Sequence, residues 1–423
     1  MIALLALVFV VCLLLRFPIA FALGLSCLAY LLAAGTPLIV VPMKMYSGID
    51  VFVLLSVPGF ILAGNLMNQG GLTGKIITFC NHLFGHIRGG LALANVGTSM
   101  LFAGISGTAI SDTASIGAVM IPAMKKEGYD GPFASAITAV SSTVGPIIPP
   151  SVPMIIAATL SGLSVGKLFL AGVFPGLLLG VGMMVTAYLI ARKRAYPKRK
   201  RSSLRQIGKG FLDTFWALLM TVIILFGIIG GIFTPTEASI IAVLYALLVG
   251  LFVYRKLTYK RILVIVLDSM KVSASLMLII GFANLFGWIL ITEQFPQWIS
   301  QEIMAFTSNK YLVLLMINLL LIVVGTFMET VAALLILFPI LLGVATGVGV
   351  APLHFALIAV LNLVIGLTTP PLGICLFVAS SIGKTPIGQV SRASLPFLAV
   401  NLGILTLVTL VPELCLWLPS WLG

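Results

Sequence analysis

Two acidic residues lie within long apolar stretches of this sequence. Asp112 follows the segment "SGTAIS", and Glu329 follows "VGTFM". Ionisable side chains in membrane-crossing segments are costly, and they usually face a cavity or a partner. Each of the two acids could neutralise a bound cation or take up a proton. Each also precedes an apolar run whose first-turn amides it could cap, so both roles are open at this point.

A pair of prolines interrupts an apolar stretch some distance after each acid, in "GPIIPP" (145–150) and in "GLTTPP" (366–371). A proline inside a helix removes one donor and frees the carbonyl four residues earlier. Pro149 and Pro370 thus free the carbonyls of the two glycines that begin these segments, Gly145 and Gly366. By the same spacing, the second prolines, Pro150 and Pro371, free the carbonyls of Pro146 and Leu367.

Freed carbonyls beside hydroxyl groups form a site of hard oxygen atoms, which suits a small cation. Irregular backbone at membrane depth is tolerated only where it is buried in protein or lines a wet cavity. A single proline of this kind is usually a structural kink, but a Gly-x₃-Pro-Pro break after each acid favours a site. The candidate hydroxyls are Ser106, Thr108, Ser141 and Ser142 in the first half, and Thr326, Thr368 and Thr369 in the second.

The composition places these residues in a membrane protein. Of 423 residues, 60% are hydrophobic and 8% are charged, against about 25% charged in a soluble domain. Apolar runs of membrane-spanning length recur throughout the chain, which predicts an all-α polytopic membrane protein. An enzyme is disfavoured because neither an HExxH nor a GxGD motif is present. We expect no organic cofactor and no metal beyond a coupling ion, and His82 and His86 favour a cytoplasmic surface helix over a metal site.

The positive charge of the chain is concentrated in two loops. Residues 192–210 hold nine Lys or Arg and no acid, and residues 254–261 hold four more. Both loops are short and flanked by apolar runs, so they indicate cytoplasmic loops and not nucleic-acid binding. With both loops inside the cell, the C-terminus is expected to be periplasmic. If Arg16 is also cytoplasmic, the N-terminal hairpin 2–34 points the opposite way to the hairpin 211–254.

The acids and proline pairs recur in the same order, which predicts two inverted repeats, 1–191 and 211–423, joined by the basic cytoplasmic linker 192–210. Each repeat is expected to contain one broken helix and one re-entrant hairpin, with tips at 104–112 and 324–330. Internal symmetry of this kind is typical of secondary transporters.

Four segments carry a resemblance to a known family: "FAGISGTAISDTASIGAVMIPAM", "GPIIPPS", "LFLAGVFPGLL" and "GGIFTPTEAS". They resemble the large membrane subunit of tripartite ATP-independent periplasmic (TRAP) transporters, and the likeness covers essentially the whole chain. The resemblance implies an elevator fold, in which a transport domain moves against a scaffold, in the bacterial inner membrane. It also implies sodium-driven import of an organic acid, such as a C4-dicarboxylate or sialic acid.

The resemblance further implies two partners, a periplasmic substrate-binding protein and a small four-helix membrane subunit. We expect the small subunit to be a separate polypeptide, because no such segment precedes residue 1. Substrate or coupling roles fall on Asp112, Glu329, Pro150 and Pro370. The implied sodium ligands are Gly104, Ser106, Thr108, Gly145, Ile148 and Pro149 in the first repeat, and Gly325, Thr326, Gly366, Thr368 and Thr369 in the second.

Two rival functions are compatible with these residues. One keeps the fold but couples transport to protons through Asp112 or Glu329. The other is a passive channel, because repeats with re-entrant tips also build pores.

Overall fold

The computed structural model describes residues 1–15, 17–307 and 309–422, and every regular element in these ranges is a helix. Arg16, which the orientation of the N-terminal hairpin invokes, lies outside the described residues. The helices of the first half are α1 (Ile2–Leu14), α2 (Ile19–Ala33), α3 (Val40–Ile49), α4 (Ser56–Met67), α5 (Thr73–Phe84), α6 (Gly90–Ser106), α7 (Ala109–Lys126), α8 (Gly131–Ser141), α9 (Val152–Ser161) and α10 (Val165–Lys193).

The second half begins after the basic linker. Its helices are α11 (Leu204–Ile229), α12 (Pro235–Leu248), α13 (Tyr259–Thr292), α14 (Phe295–Phe306), α15 (Lys310–Phe327), α16 (Thr330–Gly347), α17 (Pro352–Gly366), α18 (Ile374–Gly383), α19 (Ile387–Leu410) and α20 (Glu413–Leu422). Within the described ranges, eight helical segments are long and apolar enough to cross a membrane. The prediction of an all-α polytopic membrane protein is therefore confirmed.

Local sequence explains where several helices begin. Thr234 and Glu237 form a reciprocal capping box at the start of α12, as the spacing in "TPTE" predicts. Ser151 caps α9 through its hydroxyl, which accepts the amide of Met154 at 3.2 Å. These caps satisfy first-turn amides that have no partner within their own helix.

The helices next to the two breaks pack reciprocally on the other half of the chain. The helix α17 is buried at every position from His354 to Gly366. The short helix α9 packs on α16 and α17, and the short helix α18 packs on α7 and α8. Each short helix thus covers elements of the other half. The division into inverted repeats stays a prediction.

Asparagine side chains join helices in the apolar interior, as their placement in apolar runs predicts. Asn65 donates to Ser269 Oγ at 2.8 Å, and Asn95 donates to Thr138 Oγ1 at 2.6 Å. Asn362 donates to Asn318 Oδ1 at 2.7 Å. Each bond links two helices distant in sequence and gives a polar group a partner away from water.

The basic linker is docked onto the ends of other helices. Arg194 Nη1 and Tyr196 Oη each donate to Asp130 Oδ2 at 2.6 Å. Arg199 pairs with Glu127, and its amide donates to the carbonyl of Gly85 at 2.9 Å. The hydrogen bond from Tyr196, followed by the hydrogen bond and charge of Arg194, holds the pKa of Asp130 below its ordinary value of 3.8, although partial burial acts in the opposite direction.

We predict that Asp130→Asn loosens the linker. An exposed ion pair of this kind contributes roughly 0.5–1 kcal/mol, so trypsin should cleave the linker about two to five times faster in the variant, as followed by mass spectrometry of the purified protein. The folded pKa is lower than the unfolded one, so the contribution of Asp130 is complete above pH 3.8 and is lost as the pH falls below it.

Asp268→Asn is the matched control, because Asp268 pairs with Lys271 within α13 and does not touch the linker. Equal cleavage rates for the wild type and Asp130→Asn would show that these bonds do not hold the linker.

Candidate ion and substrate site

The first acid lies just after the turn between α6 and α7. Gly107 follows α6 with a φ of +65°, a left-handed conformation that glycine adopts readily, and Thr108 precedes the first residue of α7. Ser106 Oγ donates to Asp112 Oδ1, and the amide of Thr108 donates to Ser106 Oγ at 3.3 Å. Asp112 does not cap α7, because its own amide bonds to the carbonyl of Thr108 within the first turn.

Asp112 is fully buried, and its second oxygen, Oδ2, has no hydrogen-bond partner among the described residues. Gly145 packs directly against this oxygen, so that a Cβ added at Gly145 would collide with it. Within the same described ranges, the carbonyl of Gly145 accepts no hydrogen bond. A buried carboxylate oxygen without a partner is costly unless a cation or a proton compensates it. This geometry supports binding of one or the other.

The structure places the other first-half candidates around the same turn. The carbonyl of Pro150 lies beside Gly107, 3.1 Å from the position of an added Cβ. Ile148 packs against Gly176 of α10, next to Pro149. Gly104 has a partner that the sequence did not indicate, because Thr221 Oγ1 of α11 donates to its carbonyl at 2.9 Å.

The hydroxyls of Ser141 and Ser142 are engaged with neighbouring groups. Ser141 donates to Asn95 Oδ1 at 3.3 Å, and Ser142 donates to the carbonyl of Thr138 at 2.7 Å. Their oxygens retain lone pairs that can still accept a bond or contact a cation.

The second acid has a different role in the structure. Glu329 precedes the first residue of α16, and its Oε2 accepts the amides of Val331 at 2.9 Å and Ala332 at 3.2 Å. Glu329 therefore caps α16, which is one of the two roles that the sequence left open. The acids at equivalent sequence positions thus differ, since one caps a helix and the other keeps an oxygen unpaired.

Two glycines bring the backbones of the second turn and the second break together. A Cβ added at Gly366 would lie 2.6 Å from Gly325 Cα, and one added at Gly325 would lie 3.1 Å from Gly366 Cα. The amide of Gly373 also donates to the carbonyl of Thr326 at 3.2 Å. The turn after α15 and the break after α17 therefore form one close-packed unit.

Three carbonyls predicted to be free are hydrogen-bonded. The carbonyl of Pro146 accepts from Ser151 Oγ at 2.5 Å. The carbonyls of Gly366 and Leu367 accept from the amides of Thr369 at 2.9 Å and Cys375 at 3.0 Å. The prediction was wrong for these three because the chain turns at each break and brings new donors to the carbonyls.

The threonines of the second half bond to nearby carbonyls. Thr326 donates to the carbonyl of Val323 at 2.8 Å, and both Thr368 and Thr369 donate to that of Ile365 at 3.0 Å. Each hydroxyl oxygen keeps lone pairs, so all three remain possible cation ligands. Next to them, Pro370 precedes Pro371 through a cis peptide bond, as Pro149 precedes Pro150.

Two cavities adjoin the first turn. One lies between the two turns, has a volume of about 30 Å³ and is lined by Thr108, Pro146 and Glu329 among others. The other has a volume of about 110 Å³ and lies between the first turn and α4, where Ser106, Thr108 and Asn65 line it. Asn65 bonds to Ser269 between helices, and the packing of α4 against the turn also places it in the lining of this cavity.

The sequence matches a known family over most of its length. The family description "Tripartite ATP-independent periplasmic transporter, DctM component" matches residues 6–414. The sialic acid TRAP transporter large permease protein SiaM of Vibrio cholerae is 41% identical over 404 residues, which are 95% of each chain. The C4-dicarboxylate TRAP transporter large permease protein DctM of Pseudomonas aeruginosa is 42% identical over 95% of this chain and 94% of its own.

A longer relative is the isethionate TRAP transporter permease protein DctMQ of Oleidesulfovibrio alaskensis, which is 41% identical over 94% of this chain and 63% of its own length. Two solved structures share the fold at low identity. The YdaH transporter of Alcanivorax borkumensis has a TM-score of 0.57 at 16% identity, covering 88% of this chain and 86% of its own. MtrF of Neisseria gonorrhoeae has a TM-score of 0.60 at 15% identity, covering 92% and 85%.

We predict that Gly145→Ala and Gly366→Ala destabilise the protein. The added methyl group meets Asp112 Oδ2 in the first variant and the backbone of Gly325 in the second. Overpacking of this kind costs about 1–3 kcal/mol, so thermal unfolding of the purified protein in detergent should begin several degrees lower.

The matched control is Gly343→Ala in α16, where an added methyl group meets no atom within 4 Å. If all three variants unfold at the wild-type temperature, the close approach at the two breaks is not maintained in the folded protein.

Proposed function

Because this chain belongs to the DctM component family of tripartite ATP-independent periplasmic transporters, we propose that it is the large permease of a sodium-coupled importer of organic acid anions. The observation that carries the coupling is the buried carboxylate of Asp112. Its Oδ2 has no partner among the described residues and lies against Gly145. A bound cation would compensate this charge, and oxygen ligands suit sodium as a hard cation.

In this proposal the first sodium site lies around Asp112 and the break at Gly145. Its ligands are oxygens of Ser106, Thr108, Ile148 and Pro149 together with the carbonyls of Gly104 and Gly145. The Gly104 carbonyl also accepts from Thr221, and its second lone pair remains for the ion. A second sodium lies at the Gly325–Gly366 contact, where the hydroxyls of Thr326, Thr368 and Thr369 supply oxygen. Transporters commonly place coupling ions at such breaks.

The proposed substrate is a small organic anion. Three relatives are named for sialic acid, C4-dicarboxylate and isethionate, all of which carry an acidic group. We place the substrate at the first turn, where Thr108 lines both cavities. Pro150 and Pro370, one in each break, are further proposed substrate contacts. The first-turn amides of α7 have no side-chain cap and carry the positive end of the helix dipole, which favours an anion. The 110 Å³ cavity leaves more room than the one between the turns.

We propose an elevator movement, in which α6–α10 and α15–α19 form the transport domain. Among the described residues, two hydrogen bonds reach the first hairpin from outside this domain, and both would break on each stroke. Thr221 of α11 donates to Gly104 of α6 at 2.9 Å, and Asn68 donates to Ser115 of α7 at 2.5 Å. Both are single neutral bonds, each contributing about 1 kcal/mol, which is small enough for reversible movement.

The proposed setting is a bacterial inner membrane. The linker 192–210 is cytoplasmic there and the C-terminus periplasmic, in accordance with the charge distribution. A periplasmic binding protein delivers the substrate, and a small four-helix subunit completes the membrane part.

Proton coupling is the second candidate, and the same observation favours it. A proton on Asp112 would also remove the cost of an unpartnered buried carboxylate. The two candidates differ in the ion whose gradient drives uptake.

We predict that uptake into proteoliposomes requires sodium and that Ser106→Ala raises the half-saturating sodium concentration about tenfold, because it removes the hydroxyl bonded to the Asp112 carboxylate. Asp112→Asn should nearly abolish sodium-driven uptake. The assay includes the binding protein and the small subunit, with labelled C4-dicarboxylate and sialic acid as test substrates.

Thr346→Ala is the control, because this exposed hydroxyl bonds only within its own helix. Unchanged uptake when potassium replaces sodium would exclude sodium coupling. Proton coupling predicts instead that Asp112→Asn abolishes uptake driven by a pH gradient and leaves any sodium dependence unaltered.

A further inference from the structure

Three lysines and one aspartate lie where the start of α5, the N-terminal part of α11 and the segment between α12 and α13 meet. Lys75 Nζ lies 3.3 Å from Asp213 Oδ1 and 5.1 Å from the centre of the Tyr254 ring. Tyr254 Oη in turn donates to the carbonyl of Asp213 at 2.8 Å. The three elements therefore meet at Asp213.

Two further lysines adjoin this contact. Lys209 precedes Asp213 by one turn of α11. Lys256 packs on Gly71, four residues before Lys75, because a Cβ added at Gly71 would lie 3.0 Å from Lys256 Cγ. We call Lys75, Lys209, Lys256 and Asp213 the Asp213 cluster.

The Asp213 cluster has an excess of positive charge. Within the described ranges, Lys75 is its only lysine with an acidic partner, while Lys209 and Lys256 are exposed and unpaired. Arg255 is next to Lys256, and Lys260 and Arg261 lie in the first turn of α13; all three also lack an acidic partner among the described residues. One aspartate does not neutralise this positive charge, so the group of cations attracts a further anion.

Large apolar side chains beside the cluster point to a membrane ligand. Leu212 is 67% exposed, Trp216 is 41% exposed and Phe252 is 68% exposed. Leu212 is next to Asp213, and Phe252 is two residues before Tyr254. Trp216 belongs to the same part of the structure, because its carbonyl accepts from Tyr245 of α12 at 2.6 Å. A soluble phosphate would use the lysines alone, whereas a lipid would also cover these side chains.

We propose that the Asp213 cluster binds the phosphate of an anionic phospholipid, with its acyl chains along Leu212, Trp216 and Phe252. Lysine binds phosphate as a point charge, and basic groups at the cytoplasmic boundary are attracted by anionic headgroups. The bound headgroup connects α5, α11 and the segment from Val249 to Thr258, whose first five residues are helical, and so stabilises the packing of these three elements.

The experiment measures thermal unfolding of the delipidated full-length protein in detergent. Phosphatidylglycerol should raise the midpoint by about 2–4 °C, since a ligand of the folded state stabilises by mass action. Phosphatidylcholine with the same acyl chains should raise it less. Equal shifts with the two lipids would contradict a site for an anionic headgroup.

The double variant Lys209→Gln with Lys256→Gln tests the site, because neither lysine has an acidic partner to leave uncompensated. Its apparent affinity for phosphatidylglycerol should fall about tenfold or more. The pair Lys209→Arg with Lys256→Arg keeps the charge and should keep the response. Loss of the response in the arginine pair as well would overturn the proposal.

The matched control is Lys126→Gln with Arg392→Gln, which removes two exposed, unpaired cations elsewhere on the chain. It should respond as the wild type does, and an equal loss would show that only overall charge matters. Inorganic phosphate and glycerol phosphate at the concentration of the lipid should leave the midpoint unchanged. A shift equal to that of phosphatidylglycerol would identify a soluble anion site instead.

Discussion

The structure depends on one constraint, namely that backbone groups released inside an apolar environment must find partners within the protein. The chain meets it at each break and turn by a local device. Ser151 bonds the carbonyl of Pro146, the amide of Cys375 bonds that of Leu367, and Glu329 accepts two amides at the start of α16. Where no side chain fits, as at Gly325 and Gly366, the backbones pack on one another. The oxygens that remain without such partners are therefore the ones available for a ligand.

The two halves meet this constraint differently at their acidic residues. Asp112 receives a hydrogen bond from Ser106, six residues earlier, whereas the residue six positions before Glu329 is Val323. Without that hydroxyl, the glutamate bonds the amides of its own helix. Asp112 instead lies in the first turn of α7, behind Thr108, with one oxygen directed at Gly145. Two similar segments of the chain thus contain one carboxylate that caps a helix and one whose second oxygen has no hydrogen-bond partner among the described residues.

Much of the fold could be predicted from the sequence, because apolar length and capping residues are local signals. The all-α membrane fold is observed as predicted, and so is the cap that Glu237 provides at the start of α12. Asn65, Asn95 and Asn362 bond between helices, whereas the side chain of Asn401 has no hydrogen-bond partner among the described residues. The carbonyls that lack a partner were harder to predict. The expectation that a proline frees the carbonyl four residues earlier assumes that the helix continues beyond the proline. The bond from Thr221 to Gly104 joins residues 117 positions apart, and no local pattern indicates it. The sodium ligands and the repeat boundaries remain predictions.

The reciprocal packing of the short helices also bears on how the protein is made. The helix α9 packs on α16 and α17, which leave the ribosome later, and α7 is covered in part by α18. The N-terminal half therefore enters the membrane with these surfaces uncovered by their final partners. Its last contacts form only when the C-terminal half has been inserted, so biosynthesis must hold the first half in a partly assembled state until the chain is complete.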